Sequence, residues 1–202
     1  MSKITSKILI ALMCLIVANS SANASSVFIA SITLLSTKSA TDDKLLQIKN
    51  LILQKHEIEC LAIALYHEAR GEPVIGQYAV GATIMNRVRS KAYPNKICDF
   101  VFQNEHLKNR CQFSFACDGI SDHPRNKKSY VKMQRLATII FKKGIAREAK
   151  FIGLKFAAKL GEMTHYHRHD VHPIWSDSLE KVSSLGDHVF FTSKRVTRRY
   201  SN

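Results

Sequence analysis

The chain has 202 residues, and 30 Lys and Arg residues against 16 Asp and Glu give it a formal charge of +14 at pH 7. This length suits one domain with a hydrophobic core. The charge favours a polyanionic partner, either an anionic wall polymer, a lipid surface or nucleic acid. Nucleic acid is the least favoured of the three, because the Lys and Arg residues are spread along the whole chain.

The first 24 residues have the pattern of a secretory signal peptide. Lys3 and Lys7 precede an apolar run at 8–18, and an Ala-Asn-Ala site stands before Ser25. The run is shorter than the roughly 20 residues of a comfortable transmembrane helix. Without residues 1–24 two Lys are lost, so the charge falls from +14 to +12. We therefore predict an exported protein of the periplasm, the cell envelope or the extracellular space.

A second apolar run follows at 27–35 and leaves the membrane question open. If the signal peptide is not cleaved, the two runs together would serve as an N-terminal membrane anchor. We assign 25–45 to this apolar segment and a short polar linker. The folded domain is then predicted at 46–202.

Apolar residues recur at helical spacing in three stretches, at 45–69, from Pro73 onward and at 129–143. Gly71 and Gly144 are placed to end the first and third helices, and Pro is tolerated in the first turn of the second. The predicted buried stripes are Ile58, Leu61, Ala62 and Leu65 in the first helix, Val74, Tyr78, Ala82, Met85 and Val88 in the second, and Tyr130, Met133, Ala137, Ile140 and Phe141 in the third.

The second helix ends in a basic cluster of Arg87, Arg89 and Lys91, which suits the negative end of a helix dipole. Residues 92–128 then look irregular. They contain three of the four cysteines that follow the signal peptide, which are Cys60, Cys98, Cys111 and Cys117. An even number in an exported chain predicts a disulfide framework, with three pairings open.

The pattern changes near the end of the chain. Thr164–His167 and His188–Thr192 have the pattern of short strands, around a loop that contains Pro173 and Trp175. The predicted fold class is therefore α+β, mostly helical, in a single domain with a small late β element.

Two His-containing stretches raise the question of zinc. His67-Glu68 would begin a zinc-protease helix, but that motif needs a second His where Gly71 stands. His165, His167 and His169 would share one face of an extended strand, and three such His could bind zinc. A solvated His-rich strand beside an anionic substrate is the favoured alternative, so we predict no metal and no cofactor.

Glu68 is the carboxylate best placed for acid catalysis. It lies near the end of a helix whose preceding turn is apolar, and a partly enclosed carboxyl group tends to keep its proton. A general acid that protonates a glycosidic oxygen needs that state. Glu72, four residues on, is either a second carboxylate or a group that holds Arg70 or the backbone. By spacing alone, a solvent-facing or capping Glu68 remains the commoner arrangement.

An ordered set of short motifs spans about residues 57–192. The opening stretch at 61–80 has the sequence LAIALYHEARGEPVIGQYAV and continues to Asn-Arg-Val at 86–88. The later motifs are Tyr93-Pro94, Ile97-Cys98, Val101-Phe102-Gln103, Cys111-Gln112-Phe113-Ser114-Phe115, Cys117-Asp118-Gly119, Thr164-His165-Tyr166-His167, Pro173, Trp175, Gly186 and His188-Val189-Phe190. In kind and in order they resemble the motifs of the SleB-type cell wall hydrolases, the family that includes the spore-cortex-lytic enzymes.

The resemblance implies a lysozyme-like fold and cleavage of the β-1,4 bond between N-acetylmuramic acid and N-acetylglucosamine in peptidoglycan. It further implies a lytic transglycosylase, which leaves a 1,6-anhydro sugar, with Glu68 as the catalytic acid. The substrate-binding residues would be Gln112, Phe113, Ser114, His165 and Tyr166, with Glu72 ordering Arg70 or the sugar-binding loop. The partner would be the glycan strand, and the protein would act as a monomer.

The disulfide pairing and the function each have an alternative. The favoured disulfides are Cys60–Cys98 and Cys111–Cys117, of which the second would hold the loop around Gln112 to Ser114, but another pairing is nearly as acceptable. The rival function is an envelope protein that binds peptidoglycan or another polyanion without cutting it. The carboxyl group of Glu68 argues against that rival.

Overall fold

The structure is a computed structural model that describes residues 41–108, 110–144 and 157–193. The chain divides into two units, Met1–Ile52 and Leu53–Asn202. In the first unit, residues 41–52 are helical and all are exposed. The predicted signal peptide and the apolar run at 27–35 lie outside the described residues. The predicted domain limits therefore stay predictions.

The described part of the second unit is mostly helical. Its helices are α1 at 53–69, α2 at Val74–Arg89, α3 at Ile97–Val101, α4 at Lys127–Lys143 and α5 at Ala157–Leu160. Two 3₁₀ turns lie at Ser114–Cys117 and Ile174–Ser178. The three predicted long helices are confirmed. None of the helices in the described ranges combines the length and apolar character that crossing a membrane requires.

Helix α2 lies at the centre of the core. Small and apolar side chains occupy nearly all of its middle turns, so the helix is buried on most sides rather than along one stripe. Helix α4 packs closely against it at Gly81, where a Cβ would overlap the Ile140 side chain. The predicted burial of Val74 is wrong: it begins α2 beyond the edge of the core and is 59% exposed.

Three antiparallel strands follow the helices, in the order β1-β3-β2. They are β1 at His165–Arg168, β2 at Glu180–Leu185 and β3 at His188–Thr192. Tyr166 of β1 lies opposite Phe190 of β3. The sequence predicted β1 and β3 and missed β2, but the mostly helical α+β class with a late sheet is confirmed.

Side chains of α2 fix where β1 begins. The Asn86 amide donates to the carbonyls of Leu160 and Met163, both at 2.8 Å, and Arg87 Nε donates to the Thr164 carbonyl. A buried amide that satisfies two carbonyls is a strong constraint, because breaking it would leave three polar groups unpaired. The sheet is thus held in one position against the central helix.

Two disulfides pair the cysteines as predicted, Cys60–Cys98 and Cys111–Cys117. The first joins α1 to α3 across a separation of 38 residues, and the second closes a six-residue loop. In the loop-entropy description the longer bridge stabilises by about 4 kcal/mol and the shorter by about 2 kcal/mol. The shorter bridge therefore matters mainly for the shape of the loop it closes.

Candidate active site

Glu68 lies in the last turn of α1, where the chain leaves the helix. The helix ends at residue 69, and the Glu72 amide donates to the Ala69 carbonyl at 3.0 Å to close the turn. Gly71 and Pro73 then redirect the chain into α2. The preceding turn of α1 is buried in the core, so the Glu68 carboxyl group is held against an apolar interior.

A cavity of about 280 Å³ opens at this carboxyl group. We call it the Glu68 cavity. Side chains from α1, α2, α3, the 111–117 loop, β1 and the 174–178 turn converge on it. Its lining residues are Glu68, Thr83, Ile84, Arg87, Phe100, Gln112, Phe113, Ser114, His165, Tyr166 and Trp175.

The environment of Glu68 favours its protonated form. Burial raises the pKa of Glu68, and this effect exceeds the opposing effects of a hydrogen bond from Tyr166 and of nearby His67. The Tyr166 hydroxyl donates to Glu68 Oε2 at 2.8 Å. Burial and the neighbouring carboxyl group also raise the pKa of Tyr166, so its phenol stays protonated and remains a donor. The hydrogen bond from Tyr166 thus fixes one oxygen of the Glu68 carboxyl group and leaves the other oxygen to exchange a proton.

A half-buried arginine and a neutral histidine lie in the same cavity. The guanidinium of Arg87 lies 5.2 Å from the centre of the Tyr93 ring, and burial lowers its pKa. Burial and the charge of Arg87 lower the pKa of His165 to about 4. His165 is therefore neutral near pH 7, which leaves Glu68 as the acid in the cavity.

The closed loop at 111–117 forms one wall. The Gln112 amide donates to the Gln103 carbonyl at 3.0 Å, and the Phe113 ring meets Phe100 edge to face at 5.7 Å. These contacts hold the backbone so that Ser114 begins the 3₁₀ turn at the cavity rim. The loop is thus a rigid wall rather than a free connection.

Residues 71–191 match the family described as Cell Wall Hydrolase, which is more than half of the chain. The chain belongs to this family. The match includes every lining residue of the Glu68 cavity from Thr83 to Trp175, and it begins three residues after Glu68. Family membership therefore supports the cavity as a whole, whereas the role of Glu68 depends on its geometry.

Curated relatives of this cell wall hydrolase are spore cortex-lytic enzymes. The chain is 43% identical to that of Oceanobacillus iheyensis over 138 residues, which are 67% of this chain and 41% of the relative. Identity to the Bacillus subtilis enzyme is 46% over 48 residues, 24% of this chain and 16% of the relative. The chain thus spans less than half the length of these relatives.

Solved SleB catalytic domains are similar as well. For that of Bacillus cereus the identity is 26% and the TM-score 0.45, covering 67% of this chain and 89% of that one. For the germination-specific lytic transglycosylase SleB of Bacillus anthracis the identity and TM-score are the same, covering 67% and 93%.

The structure brings together most of the predicted site residues. Five of them line the cavity with Glu68, namely Gln112, Phe113, Ser114, His165 and Tyr166. The loop residues and the strand residues are about 50 positions apart in the sequence, so their convergence is a property of the fold. Their predicted role in substrate binding stays a prediction.

Glu72 lies apart from that group. Its Oε2 accepts a hydrogen bond from the Asp187 amide at 2.9 Å, and its Oε1 lies 3.5 Å from His188 Nδ1. Among the described contacts none joins Arg70 to Glu72, and the guanidinium of Arg70 donates to the Tyr66 carbonyl. Of the alternatives raised by the sequence, the structure favours a carboxylate that holds the backbone of the β2–β3 turn.

Sequence reasoning missed several lining residues, above all Arg87 and Trp175. Arg87 was placed in a basic cluster at a helix end, yet it is half-buried in the cavity. Its spacing of four from Thr83 puts both on one face of α2, a signal that was available. Trp175 is 37% exposed beside His165 and His167, at 5.4 and 5.5 Å between ring centres.

The three late histidines take different roles. His165 lines the cavity, His167 stacks on Phe191 at 5.1 Å, and His169 Nδ1 donates to the Asp187 carbonyl at 3.1 Å. In the described ranges, the group whose ligand atoms approach within 4.8 Å is His56, Cys60 and Cys98. Its two cysteines form a disulfide and are not available as ligands.

Proposed function

We propose that this chain cleaves the β-1,4 bond between N-acetylmuramic acid and N-acetylglucosamine in peptidoglycan as a lytic transglycosylase. Membership of the cell wall hydrolase family supports a wall glycan as substrate. The observation that carries the reaction type is the single buried carboxyl group of Glu68, held by Tyr166 at a cavity that has no other acidic residue among the described residues lining it.

The reaction begins with proton transfer from Glu68. Because Tyr166 donates to Oε2, the proton to be transferred is carried on Oε1, and it passes to the glycosidic oxygen as the bond to the anomeric carbon breaks. The carboxylate that results keeps the Tyr166 hydrogen bond. It then removes the proton from the 6-hydroxyl of the same sugar, whose oxygen attacks the anomeric carbon and closes the 1,6-anhydro ring.

One carboxyl group suffices for this sequence of steps. A hydrolase of the usual type needs a second carboxylate, either about 5 Å away as nucleophile or further off as the base for water. Glu72, the nearest acidic residue along the chain, is committed to the Asp187 amide. The neutral face of His165 and the exposed face of Trp175 offer the sugar rings hydrogen-bonding and stacking surfaces.

The products of cell wall digestion test this proposal. Purified sacculi are incubated with the protein, and the soluble muropeptides are separated and weighed by mass spectrometry. We expect 1,6-anhydro-muramic ends, which are lighter than hydrolysed ends by the mass of one water. Reducing muramic ends alone would make the protein a muramidase, and wall binding without release would make it a non-catalytic binder; either result would overturn the proposal.

Replacing Tyr166 by Phe tests whether the Tyr166 hydroxyl lowers the pKa of Glu68. The hydrogen bond from Tyr166 lowers the pKa of Glu68, so its loss should raise that pKa further. Because the reaction needs protonated Glu68, kcat/KM falls as pH rises through this pKa, and the falling limb of Tyr166→Phe should move to higher pH. We also expect kcat to fall about tenfold, since the carboxylate formed loses a donor.

The matched control is Tyr130→Phe. Tyr130 also donates to a glutamate, Glu59, but it does not line the Glu68 cavity. Its pH profile should coincide with that of the wild type. A profile of Tyr166→Phe that did not move, or moved to lower pH, would contradict the assigned role of the Tyr166 hydroxyl.

Export and anchoring follow from the same proposal. A wall hydrolase has its substrate in the envelope, and the signal-peptide pattern at 1–24 supports export, while the apolar run at 27–35 leaves anchoring open. The excess of Lys and Arg supports attraction to anionic wall polymers. A monomer stays the prediction for the assembly.

A further inference from the structure

A second, larger cavity lies on the other side of the α1 terminus. Its volume is about 770 Å³, within the range of cavities that hold a small-molecule ligand. We call it the His67 cavity. Its lining residues are Tyr66, His67, Arg70, Phe115, Asp118, Ile120, Ser121, Asp122, His123, Arg125, Asn126 and Lys127, none of which lines the Glu68 cavity.

The two cavities adjoin each other. Glu68 and Ser114 line the first, and their chain neighbours His67 and Phe115 line the second. Consecutive Cα atoms are about 3.8 Å apart, so the two cavities are lined by side chains from the same two short stretches of backbone. The His67 ring stacks on Phe115, with ring centres 4.5 Å apart and planes 16° from parallel. A chain lying in the first cavity could send a branch into the second.

The lining of the His67 cavity carries three cationic groups. Arg70, Arg125 and Lys127 contribute guanidinium and ammonium groups, and all three residues are exposed. Arg70 is held in place, because its Nη1 donates to the Tyr66 carbonyl at 2.9 Å and its guanidinium lies 4.7 Å from the Tyr66 ring centre. Tyr66 is itself fixed, since its hydroxyl accepts from the Asn126 amide at 2.9 Å. Against the two carboxyl groups of Asp118 and Asp122, the three cations leave the lining with a net positive charge, which suits carboxylates.

Asp122 adds a hydrogen-bond acceptor to the lining of this cavity. Its Oδ1 is buried and makes no hydrogen bond with any described residue. A buried oxygen without a partner is costly, and an N–H donor of a ligand would satisfy it. The His67 cavity therefore combines cations on its rim with a buried acceptor, a pattern that fits a peptide bearing carboxylates and amide groups.

We propose that the His67 cavity binds the acidic stem peptide carried by the muramic acid residue beside the cleaved bond. This proposal rests on the proposed function. In a wall glycan the sugar rings are uncharged and the carboxylates are on the stem, attached through the lactyl group of muramic acid. The stem is thus the branch that Arg70, Arg125 and Lys127 can recognise, and the enzyme selects strands that still carry stems.

The test compares two substrates. One is purified glycan strands with intact stems, and the other is the same strands after an amidase has removed the stems. The variant is Arg125→Ala with Lys127→Ala, two exposed positions at the cavity rim. Lys127 begins α4, where a cation opposes the helix dipole, so its loss does not weaken the helix.

We expect wild-type kcat/KM to be higher on stem-bearing strands. In the double variant the ratio of kcat/KM on stem-bearing to stem-free strands should fall about tenfold, mainly through KM, as two charge-assisted contacts are lost. The control is Lys128→Ala with Arg135→Ala, which removes the same two residue types from exposed positions of α4 outside the cavity. The control ratio should equal that of the wild type.

The other outcomes contradict either stem recognition or the proposed glycan cleavage. A wild-type ratio of one, or an equal fall in the variant and the control, would overturn stem recognition while leaving glycan cleavage in place. Absence of cleavage on both substrates would overturn the proposed function instead. Titration of Glu68→Gln protein with a synthetic stem peptide, followed by NMR, gives an independent reading: shifts confined to residues of the His67 cavity support the proposal, and their absence opposes it.

Discussion

Replacing Glu68 by Gln is expected to lower the rate of glycan cleavage by about a thousandfold or more, because the amide can neither donate the proton nor take one back. The change is nearly isosteric, so the Tyr166 hydroxyl can still donate to the side-chain oxygen. The measurement is the initial rate of muropeptide release from purified sacculi. A matched control, Glu162→Gln, changes an exposed glutamate outside the cavity and should retain the wild-type rate.

The same variant should fold at least as stably as the wild type. Burial raises the pKa of Glu68 in the folded protein above its unfolded value, so the folded state binds this proton more tightly. The folded wild type therefore loses stability as pH rises from the unfolded pKa through the folded one. The amide of Glu68→Gln does not titrate, so the stability advantage of the variant should grow over that pH range in denaturant titrations.

Two results would contradict these expectations. Retained cleavage in Glu68→Gln would remove Glu68 as the acid, and Glu72, committed to the Asp187 amide, would need to move to replace it. A variant that lost both activity and the cooperative unfolding transition would indicate a structural role for the carboxyl group. The combination of full stability and no cleavage is specific to a catalytic group.

The part of the site that could be predicted from the sequence is the part carried by short contiguous motifs. Glu68 lies at a helix end marked by Gly71 and Pro73, and the helical period places an apolar turn before it. The loop residues 112–114 stand inside a pair of cysteines whose local pairing was favoured. Neighbouring residues thus indicate the helix end and the closed loop, whereas the site roles of Glu68 and of residues 112–114 were implied by the family resemblance.

Residues whose role depends on tertiary contacts could not be assigned from local patterns. Arg87 stands near the end of α2 among other cations, and only its contacts with Thr164 and Tyr93 show that it is half-buried. Strand β2 was missed because its mostly polar sequence at 180–185 lacks a clear alternation, and a register shift between Lys181 and Ser183 interrupts its pairing with β3. Strand β2 lies at the edge of the sheet, and the side chains of edge strands bury little apolar surface.

Glu72 is another such residue, because its role depends on packing against the β2–β3 turn. Gly186 in the β2–β3 turn has φ +61°, and a Cβ there would overlap Glu72 Oε2 and lie 2.8 Å from Pro73 Cδ. Gly186→Ala should therefore lower the free energy of unfolding by about 3 kcal/mol, combining left-handed strain of about 1–2 kcal/mol with overpacking. Urea titration measures this loss.

The control for backbone strain alone is Gly119→Ala. Gly119 has φ +77°, but a Cβ at this position would have no atom within 4 Å, so the loss of stability should stay near about 1 kcal/mol. Equal losses in the two variants would show that the contact with Glu72 contributes nothing. A larger loss of unfolding free energy in Gly186→Ala would instead show that the contacts with the Glu72 carboxylate and Pro73 cause the difference.

A double-mutant cycle separates these two contacts. Glu72 cannot simply rotate away from an added Cβ, because its Oε2 accepts from the Asp187 amide and its side chain is only 9% exposed. In a Glu72→Ala background the overlap with the carboxylate is absent, so Gly186→Ala should cost less there, with a coupling of about 1 kcal/mol or more. Additive losses would contradict this contact. Because β3 pairs with β1, displacing the turn should also disturb Tyr166 and reduce kcat in Gly186→Ala.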